Sequence, residues 1–287
     1  MNNKVELARS VIHKALRIRQ TQGIKLYESL CVYDLLEKLK VMIHFDSLPS
    51  TEGIYINESP PRIILSSLRP YGRTAYNCAH ELGHHVFGHG TRVDELHEGQ
   101  NAGNFNTEEY IANCFASFLL MPKLAVSHGF AKRHWSISDC RPEQFYIISG
   151  WLGVGYTTLI KHMCYSLNML SRQQAEKSCK TSLKKIRKAL LCQELPANLI
   201  VVDREWTGRP IDIQVGDSVL VKNDIKFEGK CVEPCSYTQI DHVFQGVRPG
   251  IGRFYSNDKN WAAFVRVSRK EYTGQCRYRH LEDPEDE

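Results

Sequence analysis

Apolar and polar positions alternate along this chain in patterns that divide it into recognisable segments. Between Lys4 and about Gln20, Val5, Ala8, Val11, Ile12, Ala15 and Leu16 recur at helical spacing while Ser10, Lys14 and Arg17 fall off the stripe, which predicts an amphipathic helix. A second helix is predicted from about Tyr27 to Leu39, with Val32, Leu35, Leu36 and Leu39 on one side, and Val41 to Phe45 reads as a strand. Short β segments at Gly53 to Asn57 and Arg62 to Ser66 flank Pro60-Pro61, whose fixed φ and missing N–H keep that corner out of a central ladder. From Arg73 the period is helical again, with Ala75, Cys78, Ala79, Leu82, Val86 and Phe87 as the apolar set of a largely buried helix ending near Gly88 or Gly90. The stretch from there to Thr107 has no apolar period and is expected to be a loop.

The next predicted helix runs from about Thr107 to Met121, with Thr107 as N-cap and Glu108 and Glu109 in the first turn, and it stops at Pro122. Pro142 to Leu152 and Tyr156 to Leu170, split by Gly153-Val154-Gly155, read as a helical hairpin, followed by a basic helix to about Cys192. After Pro196 the texture is β-rich, with runs at Leu199 to Asp203, Asp217 to Lys222, Lys226 to Val232 and Ala262 to Val267, and the acidic end from Glu282 to Glu287 is expected to fray. The expectation is an α+β fold in four parts: an N-terminal helix over 1–26, a core over 27–141, a helical hairpin and basic helix over 142–195, and a separate, mostly-β C-terminal domain over 196–287.

Charge and cysteine usage change this picture only locally. The net charge of +5 is accounted for by the segment from Arg172 to Lys188, with seven basic residues against the single acidic Glu176. Lys180, Lys184 and Lys188 share helical spacing there, and a solvated face is the expected reading over a phosphate-binding one. The ten Cys show no framework of close spacings, the start lacks the basic-then-apolar order of a secretion signal, and no run of 18 apolar residues occurs. A cytoplasmic location with no membrane partner is the expectation.

The chemistry concentrates in Cys78-Ala79-His80-Glu81-Leu82-Gly83-His84-His85. On a helix, His80 and His84 lie one turn apart on one face, where both imidazoles reach one metal ion, and Glu81 beside them can take a proton from a water held there. Two His do not complete a catalytic zinc site; a third protein ligand is required. A third His at the three-His peptidase spacing would need Gly at 87 and His at 90, where the chain has Phe87 and Gly90. Glu109, at the start of the next long helix, is well placed for the role. Asn113, four residues on, lies on the same face and could orient a ligating imidazole.

The set His80-Glu81-Leu82-Gly83-His84, Glu109-Tyr110-Ile111-Ala112-Asn113-Cys114-Phe115-Ala116 and Leu119-Leu120-Met121-Pro122 resembles the ImmA/IrrE family of cytoplasmic metallopeptidases, over roughly residues 27 to 170. The resemblance implies a zincin-like core, in which the metal-binding helices pack beside a small sheet, followed by a helical hairpin. Members of that family cleave a helix-turn-helix repressor and so release genes for stress response or mobile-element transfer. By motif matching, His80, His84 and Glu109 would be the metal ligands and Glu81 the general base. Zn2+ is the expected ion, with Mn2+ also compatible with the donor set.

The electrophilic donor to the oxyanion is left open among Arg73, Tyr76, His85, Tyr110 and His128. A second, structural zinc on Cys231, Cys235, Cys276 and His280 is a weaker expectation, since neither half has the C-x2-C spacing. The expected function is a narrow-specificity zinc endopeptidase acting on a protein substrate that binds DNA. Its rival is a regulatory protein that itself engages nucleic acid or a repressor and carries a structural or sensory metal. Direct DNA contact through the hairpin is disfavoured, because its second helix offers only Lys161 and His162 as cations. A hydrolase of small amides is a third reading.

Overall fold

The computed structural model describes residues 2–95, 106–194, 198–221, 224–235 and 242–281; most of the loop expected before Thr107, the boundary at Pro196, the end of the run at Lys222 and the acidic terminus lie outside them. The first stripe forms α1 (Asn2–Thr21), and Val11 and Ala15 on it are fully buried. Arg19, near its end, is buried too, and its guanidinium donates to the carbonyl oxygens of Leu119, Lys25 and Glu28. The second helix is shorter than expected, α2 (Val32–Lys38), with Cys31 at its N-cap. β1 (Met42–Asp46), β2 (Thr51–Ile56) and β3 (Arg62–Ser66) then alternate buried and open positions.

α3 (Tyr71–Phe87) opens at Pro70 and closes at Gly88, whose φ of 68° is the left-handed geometry that ends a helix at least cost to glycine. The segment after it is not wholly loop: Arg92–Glu95 forms β4, paired antiparallel with β2. α4 (Thr107–Leu120) is capped by Asn106 rather than Thr107, because the Asn106 side-chain oxygen accepts from the backbone N–H groups of Glu108 and Glu109. Pro122 ends it, and α5 (Lys123–Ala131) follows. The span from Thr107 to Ala131 is apolar enough on average to cross a bilayer, but it is broken at Met121-Pro122 and Phe115, Ala116, Leu119 and Val126 are inside the core.

α6 (Pro142–Leu152) and α7 (Tyr156–Tyr165) form the expected hairpin, the second helix stopping short of Leu170. The basic helix is two helices, α8 (Arg172–Cys179) and α9 (Leu183–Leu191). Ser182 caps the second, and the break separates Lys180 from the other two lysines. Lys184 and Lys188 both pair with Glu194, at 2.8 Å and 3.6 Å, as a solvated ionic face.

Nine further strands follow among the described residues: β5 (Leu199–Val202), β6 (Ile211–Gln214), β7 (Ser218–Val221), β8 (Ile225–Glu228), β9 (Val232–Pro234), β10 (Val243–Gly246), β11 (Gly250–Ser256), β12 (Ala262–Ser268) and β13 (Gly274–Gln275). They make two four-stranded sheets, ordered β5-β7-β10-β9 and β6-β12-β11-β8, while β13 leaves them to pair with β1 in the sheet β13-β1-β3-β2-β4. The architecture is thus mixed α+β. One apolar cluster runs from Val11 through α3, α4 and α7 to Val265 and Cys276, so the C-terminal strands share the core of the metal helices.

Polar bonds reinforce that junction. Asp212 on β6 is buried and accepts from Arg266 (2.7 Å and 2.8 Å), Arg279 (3.0 Å) and the Tyr71 hydroxyl at the head of α3 (3.4 Å). Arg266 also donates to Asp34 on α2 at 2.7 Å, and Arg133 holds Asp203 with two bonds of 2.7 Å. The sequence pattern could not reveal these pairings, whose partners lie up to 232 residues apart.

Burial also sets an acid limit. His162 on α7 donates from Nε2 to the Met121 carbonyl at 3.0 Å, and burial pushes its pKa down to about 4; burial and the neighbouring Arg279 push His280 down to about 3. Between those values and the unfolded value of about 6.5 the unfolded chain binds more protons, so stability falls as the pH is lowered through this window. We expect His162 alone to remove roughly 3 kcal/mol by pH 4, at 1.36 kcal/mol per unit. Urea midpoints between pH 7 and pH 4 check this, and a His162→Gln variant with an equally steep profile would rule His162 out as a source.

Candidate metal centre

Helix geometry makes half of the centre. His80, Glu81 and His84 sit on the buried middle of α3, and the Nε2 atoms of the two imidazoles are 3.1 Å apart. The other half depends on how closely α4 approaches. Gly83 faces Ala112, and a Cβ on Gly83 would stand 2.9 Å from the Ala112 Cα, so only glycine permits this crossing. With the axes this close, Glu109 in the first turn of α4 places Oε2 3.3 Å from His80 Nε2 and Oε1 3.5 Å from His84 Nε2. A Gly83→Val variant is expected to cost about 1–3 kcal/mol by overpacking and to weaken metal binding, because Glu109 moves with α4. Urea unfolding and a zinc titration measure the two effects.

A further donor comes from β4. Asp94 Oδ2 lies 2.8 Å from His80 Nε2, and donor atoms of His80, His84, Asp94 and Glu109 all fall within 4.8 Å of one another. Among the described residues these four form the one cluster with metal-binding spacing. Ligands at about 2.0–2.1 Å around a tetrahedral ion stand about 3.3 Å from each other, so the separations of 2.8–3.5 Å between His80 and each of its three neighbours and between His84 and Glu109 suit a first-row divalent cation. The electrostatics also suit one. Burial opposes protonation of His80, yet Asp94 and Glu109 together push it up to about 10. Burial and the charge on His80 push His84 down to about 4. The carboxylates call for a positive charge, and a bound cation would replace the His80 proton.

Glu81 lies beneath this cluster, fully buried, with both carboxylate oxygens lacking a hydrogen-bond partner. Burial, then the charge of Asp94, raises its pKa well above the usual carboxylate range. Gly53 on β2 makes room for it, since a Cβ there would collide with Oε1. A buried, unpartnered carboxylate is costly to keep unless the site uses it. His89 donates to or accepts from His84 Nδ1 at 2.8 Å and so orients that ring. This is the role expected of Asn113, which instead donates to the Glu109 carbonyl at 2.9 Å and lies within reach of the Tyr76 hydroxyl.

An open cleft of about 570 Å3 lies over the cluster, lined by His80, Asp94, Glu109, Glu52, Tyr76 and Arg92 among others. Of the five candidate oxyanion donors, Tyr76 alone lines it, with its hydroxyl 3.0 Å from Ser117 Oγ. Arg73 pairs with Glu52 at 2.6 Å, His85 Nδ1 is bonded to the Tyr55 hydroxyl at 2.8 Å, and His128 packs on Tyr27. Tyr110 is not among the lining residues. Arg92, unexpected from the sequence, brings a cation to the rim and is paired with Glu108.

The second zinc expected on Cys231, Cys235, Cys276 and His280 does not assemble. Cys231 belongs to the main apolar cluster, Cys235 packs with Leu191, Leu199 and Val243, and Cys276 and His280 lie beside Arg279 and Asp212. The sequence marked Glu81, His80, His84 and Glu109 but missed Asp94, His89 and Gly53. The one signal for Asp94 was the polar-apolar alternation of Arg92-Val93-Asp94-Glu95, too short to outweigh the glycines before it.

Residues 36–146 match the family model of the IrrE N-terminal-like domain, Peptidase_M78, and this segment is a domain of the ImmA/IrrE family. No curated protein matches the chain. The family indicates a metallopeptidase-type function, and with it a protein substrate.

Proposed function

We propose that this chain, built around an IrrE N-terminal-like domain, is a zinc-dependent endopeptidase of narrow specificity. Its substrate is a cytoplasmic helix-turn-helix repressor, whose cleavage derepresses stress-response or mobile-element genes. The observation that carries this reading is the convergence of His80, His84 and Glu109 above Glu81, a carboxyl group that is wholly buried beside them. His80, His84 and Glu109 would hold Zn2+, or Mn2+, since both accept imidazole and carboxylate donors. The bound ion supplies Lewis acidity, polarising the scissile carbonyl and acidifying a water in the cleft.

The rest belongs to the protein. Glu81 accepts the proton of the attacking water and then delivers it to the leaving amine, a role suited to its raised proton affinity. His89 holds the His84 ring in the orientation that ligation needs. The Tyr76 hydroxyl, one helical turn before His80, is a donor in the cleft that a developing oxyanion could use.

The test compares new protein N-termini in cells expressing the wild-type chain or Glu81→Gln. Discrete cleavage of one or a few DNA-binding proteins in the wild type alone is expected. No Glu81-dependent terminus, or general proteolysis, would overturn the reading. One observation favours a regulatory protein with a structural or sensory metal: Asp94 offers a fourth protein donor, and structural zinc sites are the ones whose protein ligands close the coordination shell.

A further inference from the structure

We propose that Asp94 is a fourth protein ligand at the centre of His80, His84 and Glu109, so that the resting site is closed by its own edge strand and opens only when that strand is displaced. The proposal rests on the peptidase reading and adds a latch to it. Asp94 Oδ2, at 2.8 Å from His80 Nε2, belongs to the cluster whose donor atoms lie within 4.8 Å of one another. Four protein donors on one tetrahedral ion would leave no position for water or substrate, which a catalytic site keeps open.

Glu81 agrees with a closed state. A base at work must meet its water, yet the Glu81 carboxylate is fully buried, with Asp94 and the Gly53 backbone around it. The element carrying Asp94 is short and held at one side only by a neighbouring strand. β4 has four residues, lies at the sheet edge and, among the described residues, has β2 as its one partner strand, across a register irregularity at Thr51 and Gly53. Val93 within it is 57% exposed, so displacing the strand uncovers little core. Arg92 ties the strand to Glu108 in the first turn of α4, the turn that also carries Glu109. The edge strand and the ligand helix are thereby linked at the site itself.

The experiment uses the full chain loaded with Co2+ and needs no substrate. Affinity is measured by competition with a chromogenic chelator, and access to the metal by the change in the visible cobalt bands on adding azide. In the wild type azide is expected to leave the bands unchanged. In Asp94→Ala, Co2+ binding should weaken about tenfold or more and the bands should respond to azide, because a position has opened. Asp94→Asn, which keeps the side-chain volume, should behave in the same direction if Asp94→Ala folds poorly. Wild-type affinity with no azide response in both variants would overturn the latch, as would an azide response in the wild type equal to that of the variants. His80→Ala separates the two readings: if it binds Co2+ as tightly as the wild type, the metal centre itself is wrong.

Discussion

The Glu81→Gln variant is expected to keep its metal and lose cleavage by about 10²–10⁴-fold, the usual contribution of general acid–base catalysis. Glutamine has the same shape and cannot accept a proton, so His80, His84 and Glu109 remain undisturbed while the attacking water keeps its hydrogen. Stability should hold or rise, because the wild-type carboxylate is buried with neither oxygen partnered and its removal relieves that cost. Zinc content by atomic absorption, substrate cleavage and urea unfolding measure the three quantities together. Cleavage at the wild-type rate would remove Glu81 from the mechanism. Loss of metal together with cleavage would show instead that the substitution disturbs the site.

Asp212→Ala is expected to destabilise the chain by about 3–5 kcal/mol, the cost of breaking a buried ionic pair by removing one partner. Arg266 and Arg279 would both lose their shared counter-ion, and Arg279 is only 7% exposed. Asp212 is held far below the usual carboxylate range: burial resists ionisation, but the Arg279 and Arg266 guanidiniums outweigh it. Because this carboxylate reaches the Tyr71 hydroxyl at the head of α3 while Arg266 reaches α2, its loss should loosen the C-terminal strands from the helices that position the centre. Urea denaturation followed by tryptophan fluorescence reads the change. A loss under about 1 kcal/mol would mean that the network behaves as exposed ion pairs do.

Together these two substitutions separate what the site does from what holds it. Glu81 is a cost to the fold that the proposed chemistry explains, whereas Asp212 contributes nothing at the cleft and ties two parts of the core together. Asp94 stands between these cases. It belongs to the centre by distance and to the edge of the sheet by its strand, so its substitution should move metal binding more than folding.

Sequence reading succeeded where structure is local. The i, i+4 spacing of His80 and His84 places both imidazoles on one face whatever the rest of the chain does, and the apolar positions Ala75, Cys78, Ala79 and Leu82 determine which side of that helix is buried. Glu109 was readable because a motif on the next helix marked it. The single basic helix was misread because spacing alone shows a periodic face across Lys180, Lys184 and Lys188, whereas Ser182 competes as an N-cap and restarts the helix. The strands β6, β9, β10, β11 and β13 leave no such local mark. Their stability comes from pairing with other strands, in the case of β13 and β6 with distant ones, such as Gly274 with Phe45 and Ile211 with Val265, and leaves little trace in their own composition.

By itself, the sequence determined a helix carrying His80 and His84 on one face with Glu81 beside them, an α+β composition and the candidacy of Glu109 as their partner, since these follow from helical periodicity and from motif. Only the tertiary structure decided that Asp94 completes the cluster, that His89 rather than Asn113 supports His84, and that the C-terminal strands share one core with the metal helices. Those outcomes depend on the close approach of Gly83 to Ala112, on the pairing of β4 with β2 and on the buried Asp212 network. Each is a contact between residues far apart in the chain, set by packing and burial, which no local spacing encodes.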